Sequence, residues 1–191
     1  MSAFEYLSVL ISIILGLAIT QILQGFRDLM QARTRLTLYW PSVLWAILLL
    51  VICVQEWWAM FGWRHYPAWT FVGFSMLIAQ TTATYLVAAL VLPDVAGDEA
   101  INLRAYYYAN HRWFFTLGVA TVAISILKDK TLNGAWTSPT SPPLNLAMEL
   151  VLIVIFLAGT LFSGERVHKL LAPLAAICFL LYIALLFPRL H

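Results

Sequence analysis

Six long, almost uninterrupted apolar runs constrain this 191-residue chain more than any other feature of it. A helix needs about 20 apolar residues to cross a hydrocarbon core roughly 30 Å thick, because each residue rises about 1.5 Å. Runs of about that length are expected at 4-26, 39-61, 69-92, 105-127, 144-162 and 170-186. None alternates in the two-residue rhythm of a membrane barrel strand. The expectation is an all-α polytopic membrane helix bundle, with residues 1-191 forming one transmembrane domain. The prolines agree. Pro41, Pro67, Pro93, Pro139, Pro142, Pro143 and Pro188 fall at or beyond run ends, where a missing N–H costs little, and Pro173 falls in the first turn of the last run.

Charge narrows the class further. Only 10% of the residues are charged and 62% are hydrophobic, whereas a water-facing domain is about a quarter charged. The formal net charge is +2, and no basic stripe interleaves with aromatics, so nucleic acid is not a partner this sequence suggests. Cys53 and Cys178 sit in apolar runs and read as small hydrophobes. The first residues, Met-Ser-Ala-Phe-Glu, carry no basic region and the following run no small-residue cleavage site, so a retained first helix is expected.

Orientation follows from the basic residues near the run ends. Arg27, Arg33, Arg35, Arg104, Arg112, Arg166 and Lys169 lie in one set of connections; Arg64, Lys128, Lys130 and Arg189 lie in the other, with both termini. The first set is expected to be cytoplasmic. This makes the chain a multi-pass protein of a cell membrane, with both termini outside. Trp and Tyr cluster near the run ends, as interfacial aromatics do. The longest connection, Lys128 to Pro143, is rich in Ser, Thr, Pro and Gly and reads as irregular chain.

The runs are not uniformly greasy. At about 100° per residue, Glu5, Ser8, Ser12, Gly16, Thr20, Gln24 and Arg27 share one side of the first helix. Ser8, Ser12, Gly16 and Thr20 also repeat every fourth residue, a spacing that lets two helices approach closely in lipid. The second helix aligns Ser42, Ala46, Leu49, Cys53, Glu56 and Met60; the third aligns Gly73, Gln80, Thr84 and Val87; the fifth aligns Asn145, Glu149, Gly159, Thr160 and Ser163. Glu56 and Glu149 each lie about 7.5 Å inside the same leaflet. An ionisable group in hydrocarbon costs about 2.5 to 3.5 kcal/mol at the centre and so turns toward a partner or water. Two readings are open. Glu5, Ser12, Thr20, Glu56, Gln80 and Glu149 form a polar pathway for protons or small cations, or they are interhelical bonds and interfacial groups with no transport role.

Near the opposite boundary, Asn110, His111 and Arg112 make a second polar cluster. Arg112 is placed to reach lipid phosphate or an acid such as Asp28, Asp94 or Glu165. His111 is the one histidine expected inside a span, while His65, His168 and His191 fall in connections or at the terminus. The chain has no H-E-x-x-H, C-x-x-C, G-x-S-x-G, P-loop or dinucleotide glycine motif, so no catalytic, metal or cofactor site is expected.

The strings FEYLSVLISIILGLAIT, QEWWAMFGWR and INLRAYYYANHRWFF resemble those of uncharacterised bacterial six-span membrane proteins. That resemblance spans most of the chain and implies an architecture without an activity. More remotely, the polar first helix and the Trp-rich helix after it resemble those of the compact bacterial relatives of the lysosomal potassium-channel family. Those channels carry an Arg and then Phe-Ser-Asp in their first helix. Here only Phe4 and Ser8 answer, at another spacing, and no site residue carries over. Two functions follow as expectations: a homo-oligomeric permeation protein for protons or small cations, or a non-catalytic membrane subunit that packs with itself or a partner chain.

Overall fold

The computed structural model describes residues 3–64, 66, 68–95, 100–137 and 142–186. His65, Pro67, Pro139, Pro188, Arg189 and His191 lie outside the described residues. Six α-helices account for nearly all the rest: α1 Ala3–Gln31, α2 Trp40–Met60, α3 Phe71–Val91, α4 Leu103–Asn133, α5 Pro143–Leu161 and α6 Glu165–Leu186. The chain is an all-α bundle, and five of its helices, all but α4, are long and apolar enough to cross a membrane. That is the make-up of an integral membrane protein.

Local sequence explains where the helices begin and end. Pro41 and Pro143 occupy first-turn positions of α2 and α5, where proline loses no bond. Thr70 Oγ1 caps α3 by accepting from the Gly73 N–H, and Asn102 Oδ1 caps α4 from the Ala105 N–H. Gly134 ends α4 at φ 69°, a left-handed turn natural to glycine, and donates its N–H to the Lys130 carbonyl at 2.9 Å.

Consecutive helices run in opposite directions and close into a ring in the order α1, α3, α4, α5, α6, α2, with α2 also touching α3 and α4. We call the end where α1 starts the upper end. Toward lipid the bundle presents Val9, Ile13 and Leu17 of α1, Val154 and Leu161 of α5, and Leu170, Ile177 and Leu181 of α6. Inward it turns Ser42, Gln80, Thr81, Thr84, Asn145 and Glu149, all buried. An apolar rim around polar groups is the arrangement a bilayer favours, since a polar group facing lipid finds no partner there.

The ring is drawn tight between α4 and α5. Phe156 of α5 lies against Gly118 of α4, and Phe115 of α4 lies against Gly159 of α5, so close that an added Cβ would sit 2.8 and 2.5 Å from the respective rings. Trp45 of α2 completes this layer, stacked on Phe156 at 5.7 Å and edge-on to Phe115 at 5.4 Å.

Several expected features are corrected. The helix expected at 105-127 is 31 residues long, from Leu103 to Asn133. At about 1.5 Å per residue that is some 46 Å, longer than a hydrocarbon core. Its uncharged apolar stretch is only Trp113 to Leu127, so α4 falls outside the set of five apolar helices. It stands between α3 and α5 in the ring and so offers lipid only part of its circumference. The last helix starts at Glu165, not near Leu170, because His168, Leu171, Ala172 and Ala175 carry an inward stripe through its charged first turn. Pro173 is therefore inside α6, past its first turn. The connections after α1 and α3 also meet in a two-residue parallel pair, β1 Leu36–Thr37 with β2 Ile101–Asn102, a strand element the apolar pattern did not announce.

Candidate functional site

Three of the six residues expected on a polar pathway come together, and three do not. Glu56 of α2 meets α3 directly: its Oε1 accepts from Thr84 Oγ1 at 2.9 Å and from Gln80 Nε2 at 3.2 Å. Across the interior, Glu149 of α5 accepts from Ser125 Oγ of α4 at 2.7 Å. Between them lie two adjoining cavities of about 90 and 110 Å³, and Gln55, Glu56, Gln80, Ser125, Glu149 and Tyr182 line both. The lower cavity is otherwise walled mainly by apolar side chains and ends at Phe156.

The upper cavity continues into a second set of bonds. Lys128 Nζ pairs with Asp129 Oδ1 at 3.1 Å, both side chains being about nine-tenths covered. Asn145 Nδ2 donates to Asp129 Oδ2 at 3.1 Å, and the Tyr182 hydroxyl donates to Asn145 Oδ1. Five helices thus contribute to one polar interior: α2, α3, α4, α5 and α6. Three carboxylates, Glu56, Glu149 and Asp129, line it against one ammonium, Lys128.

Two acceptors in this interior have no hydrogen-bond partner. Glu56 Oε2 and Gln80 Oε1 are both shielded from solvent and unbonded, and Gln80 is only 9% exposed. A buried oxygen without a donor costs about 1 to 3 kcal/mol, so each of the two carries an unmet demand for a hydrogen-bond donor.

Glu5, Ser12 and Thr20 stand apart from the cavities. Glu5 is exposed, with the Ser8 hydroxyl on its carbonyl; Ser12 accepts from Trp57 Nε1 at 3.2 Å; Thr20 is exposed and bonds back to the Gly16 carbonyl at 2.7 Å. The reason is steric pattern. Helix α1 buries Ile11, Leu15, Ala18, Ile22 and Leu29 against the bundle, which turns its small and polar side outward.

The expected cluster near the lower end also divides. His111 is buried, with Nδ1–H donating to the Tyr108 carbonyl at 2.7 Å and Nε2 left without a partner. It shares a small cavity with Asn110 and with Trp45, whose Nε1 is likewise unbonded. Asn110 donates back to the Tyr106 carbonyl at 3.1 Å. Arg112 points outward. The acids considered for it are otherwise engaged: Asp28 with Arg27, Asp94 with Gln21, and Glu165 with Arg104 and Lys169.

His168, expected in a connection, is instead fully buried beside His111, the ring centroids 5.4 Å apart. Its Nε2–H donates to the Phe162 carbonyl at 2.8 Å, which leaves Nδ1 to accept from the Tyr107 hydroxyl at 2.9 Å. With both nitrogens committed, His168 ties α4, α5 and α6 together at the lower end. Among the described residues no group of three or more His, Cys, Asp or Glu is arranged to hold a metal.

Sequence reasoning missed Ser125, Lys128, Asp129 and Tyr182, all lining the upper cavity. The signal was present. Gly118, Val122, Ser125, Asp129 and Leu132 follow the helical period, and Gly134 is a helix stop, so the fourth helix was legible past residue 127. No family model, curated protein or solved structure matches this chain.

Proposed function

We propose that this integral membrane protein binds and passes protons or small cations through an acidic path inside the single chain. The observation that carries this reading is the convergence of Glu56, Gln80, Thr84, Ser125 and Glu149, from four helices, on one pair of cavities. Intramembrane carboxylates facing a cavity are typical of ion and proton routes. The layer of Trp45, Phe115 and Phe156 below the cavity serves as the apolar constriction, which opens by wetting or by side-chain movement. Beyond it lies His111 with its unbonded Nε2, a proton acceptor on the far side of the constriction. The acidic cavities face the outside of the cell in this reading, because the more basic connections are at the lower end.

The test is flux in liposomes holding the purified protein, followed with a pH-sensitive dye and with a potassium-sensitive dye. Glu56→Gln with Glu149→Gln should lower flux at least tenfold while the protein still elutes as the folded species. Flux unchanged in that double variant overturns the proposal.

A second reading is favoured by one observation on α1. Nothing lies within 4 Å of a Cβ built on Gly16, and Thr20 one turn on is exposed, so the small-residue side of α1 is open for packing against another copy of the chain. Gly16→Leu should then shift the protein from oligomer to monomer in crosslinking of native membranes; an unchanged pattern removes this face from any assembly.

A further inference from the structure

We propose that Lys128 is the residue that restricts the path of the proposed function, on which this inference rests, to protons. Its ammonium is a tethered monovalent cation that stands where a metal cation would enter.

Position comes first. Lys128 and Asp129 line the upper cavity and not the lower one, together with Met60, Trp63 and Asn145 from the upper helix ends. An ion arriving from the upper end therefore meets Lys128 before it reaches the lower cavity. Fixed charges along such a route decide which ions enter it.

The ammonium is held in place. Nζ lies 3.1 Å from Asp129 Oδ1, and both side chains are about nine-tenths covered. Asp129 Oδ2 accepts from Asn145 Nδ2 at 3.1 Å, and Asn145 Oδ1 accepts from the Tyr182 hydroxyl. Helices α4, α5 and α6 thus fix one positive charge at the cavity, and that charge acts on Glu149 and Glu56 as well. A second cation placed beside it is repelled, and more strongly than in water because the surroundings are less polar.

The oxygens follow the same pattern. A hard metal cation takes about six or more oxygen ligands. Both Asp129 oxygens, Asn145 Oδ1, Glu149 Oε1 and Glu56 Oε1 already accept N–H or O–H donors. A metal ion has to displace a bond at each of these oxygens that it uses, and the Lys128 ammonium from Asp129. A proton needs no such shell. It binds one oxygen as another proton leaves a neighbouring group, and the carboxylates of Glu56 and Glu149 with the hydroxyls of Thr84 and Ser125 are groups of that kind. Three carboxylates against one ammonium keep the interior attractive to protons.

Liposomes holding the full chain, with potassium inside and none outside, test this in two arms read by a pH-sensitive dye. Valinomycin supplies the potassium route in the first, so acidification of the lumen reports proton entry through the protein. A protonophore supplies the proton route in the second, so acidification reports potassium exit through the protein. The wild-type chain should respond in the first arm and at least a hundredfold more slowly in the second. Lys128→Met should raise the second-arm rate at least tenfold over wild type. Lys128→Arg, which keeps the charge, and Lys130→Met, whose ammonium is exposed over Trp136 at 4.0 Å, should leave it unchanged. Should Lys128→Met fail to fold, Lys128→Met with Asp129→Asn, which strands neither charge, takes its place and should raise the rate at least threefold. Potassium exit through the wild-type chain as fast as proton entry overturns the proposal and leaves the cation reading intact. Folded Lys128 variants with no gain in potassium exit overturn it too, as does an equal gain in Lys128→Arg or Lys130→Met. A folded wild-type chain silent in both arms overturns the proposed function itself, and this inference with it.

Discussion

Gly159→Ala should destabilise the bundle, whereas Gly16→Ala should not, although both replace a helical glycine by the best helix former. A Cβ at residue 159 would lie 2.5 Å from Phe115 Cδ1 and 2.6 Å from both Cγ and Cε1. Ordinary carbon contacts are about 3.5 to 4.0 Å, so the ring has to retreat by about 1 Å. It has little room to do so. Phe115 is 0% exposed and is boxed in by Trp45 at 5.4 Å, Phe114 at 5.0 Å, His168 at 5.4 Å and Phe156 at 6.1 Å between ring centres. Overpacking of this kind costs about 1 to 3 kcal/mol. The gain in helix propensity, about 1 kcal/mol, is common to both substitutions and cancels in the comparison. The two variants should differ by about 1 to 3 kcal/mol, or roughly 5- to 150-fold in the folding equilibrium at 1.4 kcal/mol per tenfold. Reversible unfolding in mixed micelles, titrated with sodium dodecyl sulfate and read by tryptophan fluorescence, measures this. Phe115→Leu should partly restore Gly159→Ala, because the smaller side chain vacates the contested space. If Gly159→Ala proves as stable as Gly16→Ala, the close approach of α4 and α5 through Phe115 is wrong.

Other outcomes follow from the same contacts. His168→Leu strands the Tyr107 hydroxyl and the Phe162 carbonyl, a loss of about 2 to 5 kcal/mol, whereas His111→Leu gives up one local bond and should cost about 1 kcal/mol; equal losses in the same titration would refute the assignment of His168 as the tie between helices. Imidazole ¹⁵N spectra should find opposite neutral tautomers, protonated at Nε2 in His168 and at Nδ1 in His111, and matching tautomers would break one of the two bonding schemes. A cysteine introduced at Thr34 should react with an impermeant maleimide only after the membrane is opened from the cytoplasmic side, and one at Trp136 should react from outside, in a background with Cys53 and Cys178 replaced; the reverse pattern inverts the proposed orientation.

The fold was largely legible because its driving pattern is local. A run of about 20 apolar residues without alternation leaves few alternatives to a membrane helix, and buried faces such as Ser42, Ala46, Leu49 and Cys53 in α2, or Gly73, Gln80, Thr84 and Val87 in α3, followed from helical periodicity. Boundaries failed where charge was mistaken for loop. Lys128 and Asp129 pair with each other inside the bundle, and His168 sits on the inward stripe of an otherwise charged first turn, so both segments continued as helix.

The sequence by itself determined that six helices form, which residues share a helical side, and that Glu56, Gln80 and Glu149 need partners. Only the tertiary structure decided who those partners are. Periodicity fixes the angle of a side chain about its own axis and carries no information on which helix stands opposite. The side of α1 that bears Ser8, Ser12, Gly16 and Thr20 is by pattern as suited to a pathway as the acidic faces are, yet bulkier Ile11, Leu15 and Ile22 took the interior and turned it outward. The acidic cavity exists because α2, α3, α4, α5 and α6 close around it, and Gly118 and Gly159 let α4 and α5 come near enough for that closure.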